Sequence, residues 1–501
     1  MVELEGDTIP PELRRIFTPR TVAGRVVTGN ILVRDIETLN TIPGLKRAER
    51  ARILAHELDR ALPDARVARL PNGEATRRGN GVIVGVIDHG IDFRHDSFLK
   101  GNKTRILAIW DQALVAENGE TVPQPFGYGV EYTQETIDRA LAPEPTATVR
   151  HADPPPFHGT HVAGIAAGNG RPSLTGEGVT RFVGLAPDAE LIIVANTRAR
   201  TQDPGSMGDS ADTLDAVKYI VCAAERLGGG KPVAINMSEG DNIGPHDGTS
   251  LLEVGIKNLL EEKPGRVLIK SAGNEGDTAH HAEGDLEDGV AQELHIQVPR
   301  GEQDLIVDIW YPAADLLGLT ILSPAAASTQ RFVPAFSDVV ALADGTEVFV
   351  DANVDLGNGD NRTFVALRAP QGFSLPSGTW TFRLDGVGHW HAWIQRDSPA
   401  IFQPPFVSRA ATVSIPGTNQ AIISVASHIS NNDFADGDLG SLSEFSGRGP
   451  TRRGDPAPTL SAPGEEITGP QPGGNFVGMS GTSMSAAMVT GAAALLLEIN
   501  P

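Results

Sequence analysis

The chain has 501 residues, 40% of them hydrophobic and 21% charged, with a formal net charge of −22. This length predicts about three folded units, the composition is that of an ordinary globular protein, and the acidic balance argues against nucleic acid or an anionic membrane surface as partner. Cys222 is the single cysteine, so no intrachain disulfide framework exists, and the acidic start Met1-Val2-Glu3-Leu4-Glu5-Gly6-Asp7, without an apolar h-region or an 18-residue apolar run, predicts a cytoplasmic location.

Residues 1–75 read as a small N-terminal unit. Arg25 to Val33 alternates as a hairpin would. Lys46 to Leu62 has helical spacing, with Ile53, Leu54, Leu58 and Leu62 on one side. At Val82-Ile83-Val84-Gly85-Val86-Ile87 the texture becomes that of a strand buried on both faces of a parallel sheet. It ends in Asp88-His89-Gly90. An acid at the carboxyl end of such a strand stands where α/β folds place chemistry, although an Asx turn would use the same residues.

Arg105 to Trp110 is a short strand before a Pro-rich connection. Small and apolar residues then follow His158-Gly159-Thr160-His161, as in a tightly packed helix. His158 and His161 are three apart and could share a face. A metal pair there lacks a third ligand at a helpful spacing, so one histidine as general base and the other as a structural group is the better reading. Strand and helix alternate from Val183 to Asn274: Leu191–Ala195, a helix from Asp212 to Leu227 stopped by Gly228-Gly229-Gly230, Val233–Ser238, a helix from Ser250 to Glu262, and Arg266–Asn274. That alternation predicts a doubly wound parallel sheet.

From 281 to 408 only strands are predicted, among them Thr379–Leu384 and His389–Ile394, an inserted all-β sandwich. His389 and His391 share a strand face there and read as surface histidines. From 409 the α/β texture returns. A glycine-rich run leads through Gly481-Thr482-Ser483-Met484-Ser485 into an apolar helix, Ala486 to Leu497. Ser483 is either a helix cap or a nucleophile placed at the positive end of a helix.

Val86-Ile87-Asp88-His89-Gly90-Ile91-Asp92, His158-Gly159-Thr160-His161-Val162-Ala163-Gly164, Ser271-Ala272-Gly273-Asn274-Glu275-Gly276 and Gly481-Thr482-Ser483-Met484-Ser485 occur in this order. Together they resemble the subtilisin-like serine peptidases, over roughly 80–280 and 410–501. Within that family, the β insertion, Thr104 to Gln112 and Gly244 to Ser250 resemble the germination-associated Csp-type subgroup. The resemblance implies a catalytic domain in two parts, 76–280 and 409–501, interrupted by a jelly-roll-like domain at 281–408, with 1–75 as a propeptide that inhibits until cleaved. It implies Asp88, His158 and Ser483 as a triad for peptide-bond hydrolysis through an acyl-enzyme, and Asn274 as oxyanion donor. Ser238, Glu239, Gly240, Ser271, Ala272 and Gly273 match the segments that pair with an extended protein or peptide substrate.

Several residues depart from the pattern. His89 stands where Ser or Thr is usual, which predicts an altered field at Asp88. Glu239 replaces an apolar cleft residue, which predicts a bias toward basic side chains. Ala487 and Met488 replace a usual Pro-His pair. Ser97 replaces a calcium-binding aspartate, so no metal or other cofactor is carried over. The chain stops soon after the Ser483 helix, as a fragment would. A catalytically silent binding or regulatory relative is the alternative reading, and a ligand-binding role for the inserted domain is a third.

Overall fold

The computed structural model describes residues 2–48, apart from 7, 24, 25 and 36, and 77–501, apart from 118, 173–179, 198–208 and 431–437. Two units are distinct, Met1–Ala55 and His56–Pro501. The first is a four-stranded antiparallel sheet ordered Phe17–Ala23, Val26–Ile31, Val2–Leu4, Leu45–Ala48, with a short helix at Pro11–Ile16. Its core is Val2, Leu4, Leu13, Phe17 and Ile42. The stretch expected to form a hairpin by itself is instead a single strand, Val26–Ile31, which pairs with the preceding Phe17–Ala23. The helix expected from Lys46 is corrected at its start, because Leu45–Ala48 pairs with Val2–Leu4; its continuation lies outside the described residues.

The second unit is built on an eight-stranded sheet. Its order is Leu460–Pro463, Ile423–His428, Arg266–Ser271, Val233–Met237, Ile83–Asp88, Glu190–Ala195, Ile106–Asp111, Val130–Thr133. Every pairing is parallel except the last, at the edge. Ile83–Asp88 is buried along its whole length because its β-branched residues meet helices on both faces. One face packs on the helices His158–Ala167 and Thr482–Ile499. The other packs on Ser210–Arg226 and Leu251–Glu261. The edge strand and the helix Gln134–Leu141 fall in the stretch expected to be a Pro-rich connection.

Helix ends follow local chemistry. Asp209 caps Ser210–Arg226 with a reciprocal capping box through Asp212. Ser250 caps Leu251–Glu261 by accepting from the Glu253 amide. Thr482–Ile499 is long and apolar enough to cross a membrane by composition, but most of it is buried in the protein core.

The insertion is an antiparallel nine-stranded system running from His281–Leu286 to Ile401–Phe402. The two strands expected at 379–384 and 389–394 are one strand, Gly378–Ile394. Its first half pairs with Gln292–Val298 and Leu316–Leu322, its second half with His281–Leu286 and Asp304–Tyr311. Gly386 and Gly388, at φ 128° and 133°, let it bend between the two partner sets. A Cβ at Gly386 would stand 1.9 Å from the Leu316 carbonyl oxygen. Glycines that read as a break therefore mark a bend. Phe336–Ala341, an exposed edge strand without clean alternation, is an addition to the expected set.

One glycine fixes the approach of the His158 helix to the loop after Asp88. A Cβ at Gly159 would lie 1.9 Å from the Gly90 carbonyl oxygen, a backbone atom that cannot swing away. Gly159→Ala is expected to cost about 3 kcal/mol of stability by overpacking, read as a lowered denaturant midpoint with an unchanged slope.

Candidate active site

Asp88 ends the central strand and is 1% exposed. The adjacent parallel strands leave the sheet here, so backbone donors and side chains converge on the carboxylate. His158 is the first residue of its helix, entered through Phe157 in the left-handed region at φ 68°. Its Nδ1 lies 2.9 Å from each Asp88 oxygen. The His89 amide donates to Asp88 Oδ1 at 2.8 Å, and His89 Nδ1 is 3.4 Å from the same oxygen. The altered surroundings expected from His89 are thus in place. Burial alone would raise the Asp88 carboxyl. The charge and hydrogen bond of His158, with those of His89, outweigh it and hold the group well below the usual carboxylate range. Burial pushes His158 down, but the Asp88 charge and hydrogen bond prevail and raise it above 6.5.

His161 separates from His158. Its Nε2 meets the Val477 carbonyl at 3.0 Å, and burial lowers the ring to about 4, a neutral structural histidine.

Ser483 is the second residue of Thr482–Ile499 and is 7% exposed. That helix packs against the helix begun by His158. Asn274 reaches the same turn. Its Oδ1 accepts from the Thr482 amide at 3.0 Å and from Thr482 Oγ1 at 2.9 Å. A backbone N–H can only donate, which fixes the orientation of the Asn274 amide and leaves its NH2 as the donor. Thr482 Oγ1 also accepts from the Gly273 amide at 3.2 Å.

Of the residues expected to pair with a substrate, Gly273 meets this turn directly, and the others make their own contacts. Ser238 Oγ accepts from Asn236 Nδ2 at 3.1 Å. The Ala272 carbonyl takes the Ser414 amide at 2.9 Å. The Glu239 carboxylate is turned inward: Asn196 Nδ2 donates to both its oxygens at 2.7 and 2.9 Å, and Thr213 Oγ1 to one at 2.8 Å. Burial pushes this carboxyl up to about 7 against those hydrogen bonds. Two neutral donors therefore already hold the group expected to attract basic side chains.

Three residues in contact with these candidates escaped the sequence reading. Asn196 follows a strand and offered no motif. Lys270 is fully buried beside Ser271, with Nζ donating to the Ser271 carbonyl and Ser414 Oγ, both at 2.5 Å, and burial lowers it to about 7. Arg396, just past the inserted Gly378–Ile394 strand, donates to the Gly240 carbonyl at 3.1 Å and pairs with Glu275 at 2.9 Å. The insertion thus touches Gly240, 156 residues away in sequence, a contact that local pattern cannot signal. Ser97, at the position of the usual calcium aspartate, is buried with its amide on His95 Nδ1 at 3.1 Å.

The subtilase family model matches residues 79–305 and 396–501, flanking most of the insertion. The structure of the Clostridium perfringens CspB protease superimposes with a TM-score of 0.74 at 28% identity, covering 88% of this chain and 87% of that one. The PII-type proteinase of Lactococcus lactis subsp. cremoris is 25% identical over 540 residues, 95% of this chain and 26% of that protein. The serine protease AprX of Bacillus subtilis is 33% identical over 104 residues, 18% of this chain and 23% of AprX. The chain spans about a quarter of the length of the lactococcal proteinase it matches. With the family match covering the halves that carry Asp88, His158, Asn274 and Ser483, the chain belongs to the subtilase family.

Proposed function

We propose that this protein is a serine endopeptidase in which His158 takes the proton of Ser483, Asp88 holds His158 in the working tautomer, and Asn274 donates to the oxyanion. The observation that carries the reading is the pair of 2.9 Å contacts from His158 Nδ1 to Asp88. With Nδ1–H committed to a carboxylate, Nε2 is the basic nitrogen. A serine is a poor nucleophile until such a base removes its proton. Attack on a peptide carbonyl gives a tetrahedral oxyanion. Collapse forms the acyl-enzyme while His158 returns the proton to the leaving amine, and water then repeats the sequence in reverse.

The Asn274 amide is preset by Thr482, so no reorganisation is needed as charge develops. Asn274→Ala is expected to lower kcat by about 10²–10³-fold with little change in KM. Thr482→Val, which keeps the backbone donor and removes the hydroxyl, is expected to lose about tenfold, the size of one modest hydrogen bond of about 1.4 kcal/mol. A rise in KM at constant kcat in either variant would place Asn274 in substrate binding instead.

Ser238, Gly240, Ser271, Ala272 and Gly273 are small, and Glu239 is turned inward, which suits pairing with an extended peptide. Protein or peptide substrates follow from that. The N-terminal region is the first candidate substrate and inhibitor: N-terminal cleavage in wild type, absent in Ser483→Ala, is the expected result. Reaction with a fluorophosphonate tests the triad directly.

A further inference from the structure

We propose that the inserted domain carries a transition-metal site, best suited to zinc, formed by His281, Glu283 and His391. These residues lie on one face of two antiparallel strands. Register places Glu283 opposite His391 and Asp285 opposite His389. The candidate ligand atoms all lie within 4.8 Å of one another. His281 Nε2 is 3.0 Å from His391 Nδ1, and His391 Nδ1 is 3.4 Å from Glu283 Oε2. Ligands held about 2.0–2.1 Å from a tetrahedral zinc are separated by about 3.3–3.4 Å.

The neighbours point the lone pairs inward. The Asp285 carboxylate takes His389 Nδ1–H at 2.8 Å. His389 Nε2 is then an acceptor, and His391 Nε2 faces it at 3.1 Å as the donor. That leaves His391 Nδ1 as a bare lone pair. Ser408 Oγ donates to Glu283 Oε1 at 2.6 Å, leaving Oε2 directed at the gap. His281, 1% exposed, presents Nε2 to the same gap, and its Nδ1 has no hydrogen-bond partner. A carboxylate and two ring nitrogens converge where a single proton on His281 Nε2 can satisfy only one neighbour. A divalent cation satisfies all three. The Asp285–His389–His391 chain is the outer relay that orients metal-bound histidines. Metal binding here would release that proton and tie the strand His281–Leu286 to Gly378–Ile394.

The test uses the full chain, with Zn²⁺ competed against a chromophoric chelator and Co²⁺ read by its visible d–d absorption. The expected result is one tightly held ion per chain, a Co²⁺ spectrum of four- or five-coordinate intensity, and a melting temperature that rises with Zn²⁺. His391→Ala and Glu283→Gln should each weaken binding by tenfold or more, while His158→Ala leaves it unchanged. Glu283 is partly exposed, so Glu283→Gln carries the comparison where the histidine variant fails to fold. Absence of stoichiometric binding by wild type would overturn the assignment. So would loss of binding in His158→Ala with full binding in Glu283→Gln, which would put the ion at Asp88, His89 and His158, the other cluster of ligand atoms among the described residues.

Discussion

Ser483→Ala is expected to lower kcat by on the order of 10⁶-fold while leaving KM nearly unchanged. In the proposed mechanism the nucleophile, the base and the orienting carboxylate act as a unit, so effects within the set do not add. His158→Ala alone and Ser483→Ala/His158→Ala together should therefore lose about as much as the serine variant. The residual rate, on the order of 10³-fold over water, should disappear only when Asn274 is also removed. Additive losses across Ser483 and His158 would mean the two do not share a step. Stability should barely move, since Ser483 sits in the first turn of a helix anchored elsewhere, by Ser485 to the Ala462 carbonyl and by Thr490 to Asn236.

The second large effect is expected at Asp88. Asp88→Asn keeps the shape of the strand end but offers His158 the wrong hydrogen-bonding partner, and is expected to cost about 10⁴-fold in kcat/KM. It should also move the pH profile. The active form needs a neutral imidazole. Because Asp88 raises His158, activity in wild type should be lost as pH falls through a value above 6.5. Without the carboxylate charge, burial and the neighbouring His89 lower the ring against only the Asp153 charge, and the acid limb should move to lower pH. The stability signs differ for the two partners. Asp88 is depressed, so its contribution is present above its ordinary 3.8 and lost as pH falls below it. His158 is raised, so its contribution is full below 6.5 and lost as pH rises through its folded value. An unshifted acid limb in Asp88→Asn would separate the carboxylate from the base.

The parallel sheet was legible because its strands are continuous β-branched runs and its helices carry clear caps. Asp88 and His158 stood out because one ends a buried strand and the other opens a tightly packed helix, whereas Asn274, three residues past its strand, entered only through the family resemblance. Arg396, Lys270 and Asn196 were not. They reach the site through contacts across the insertion or through a buried side chain, and nothing periodic announces either. The Gly378–Ile394 strand was split in reading because glycine weakens strand propensity, yet here Gly386 provides the space that Leu316 requires. His389 and His391 read as surface histidines. Only the cross-strand register, which brings His281 and Glu283 beside them, gives them chemical meaning. Glu239 was noted as a charge, but its inward hydrogen bonds depend on Asn196 and Thr213, 43 and 26 residues away.

The most direct test of the catalytic assignment is intact mass after fluorophosphonate treatment, wild type beside Ser483→Ala. One adduct on wild type, none on the variant, and loss of labelling in His158→Ala is the predicted result. A folded wild-type protein that stays unlabelled, even after removal of residues 1–75, would contradict the triad and leave a catalytically silent member of the family.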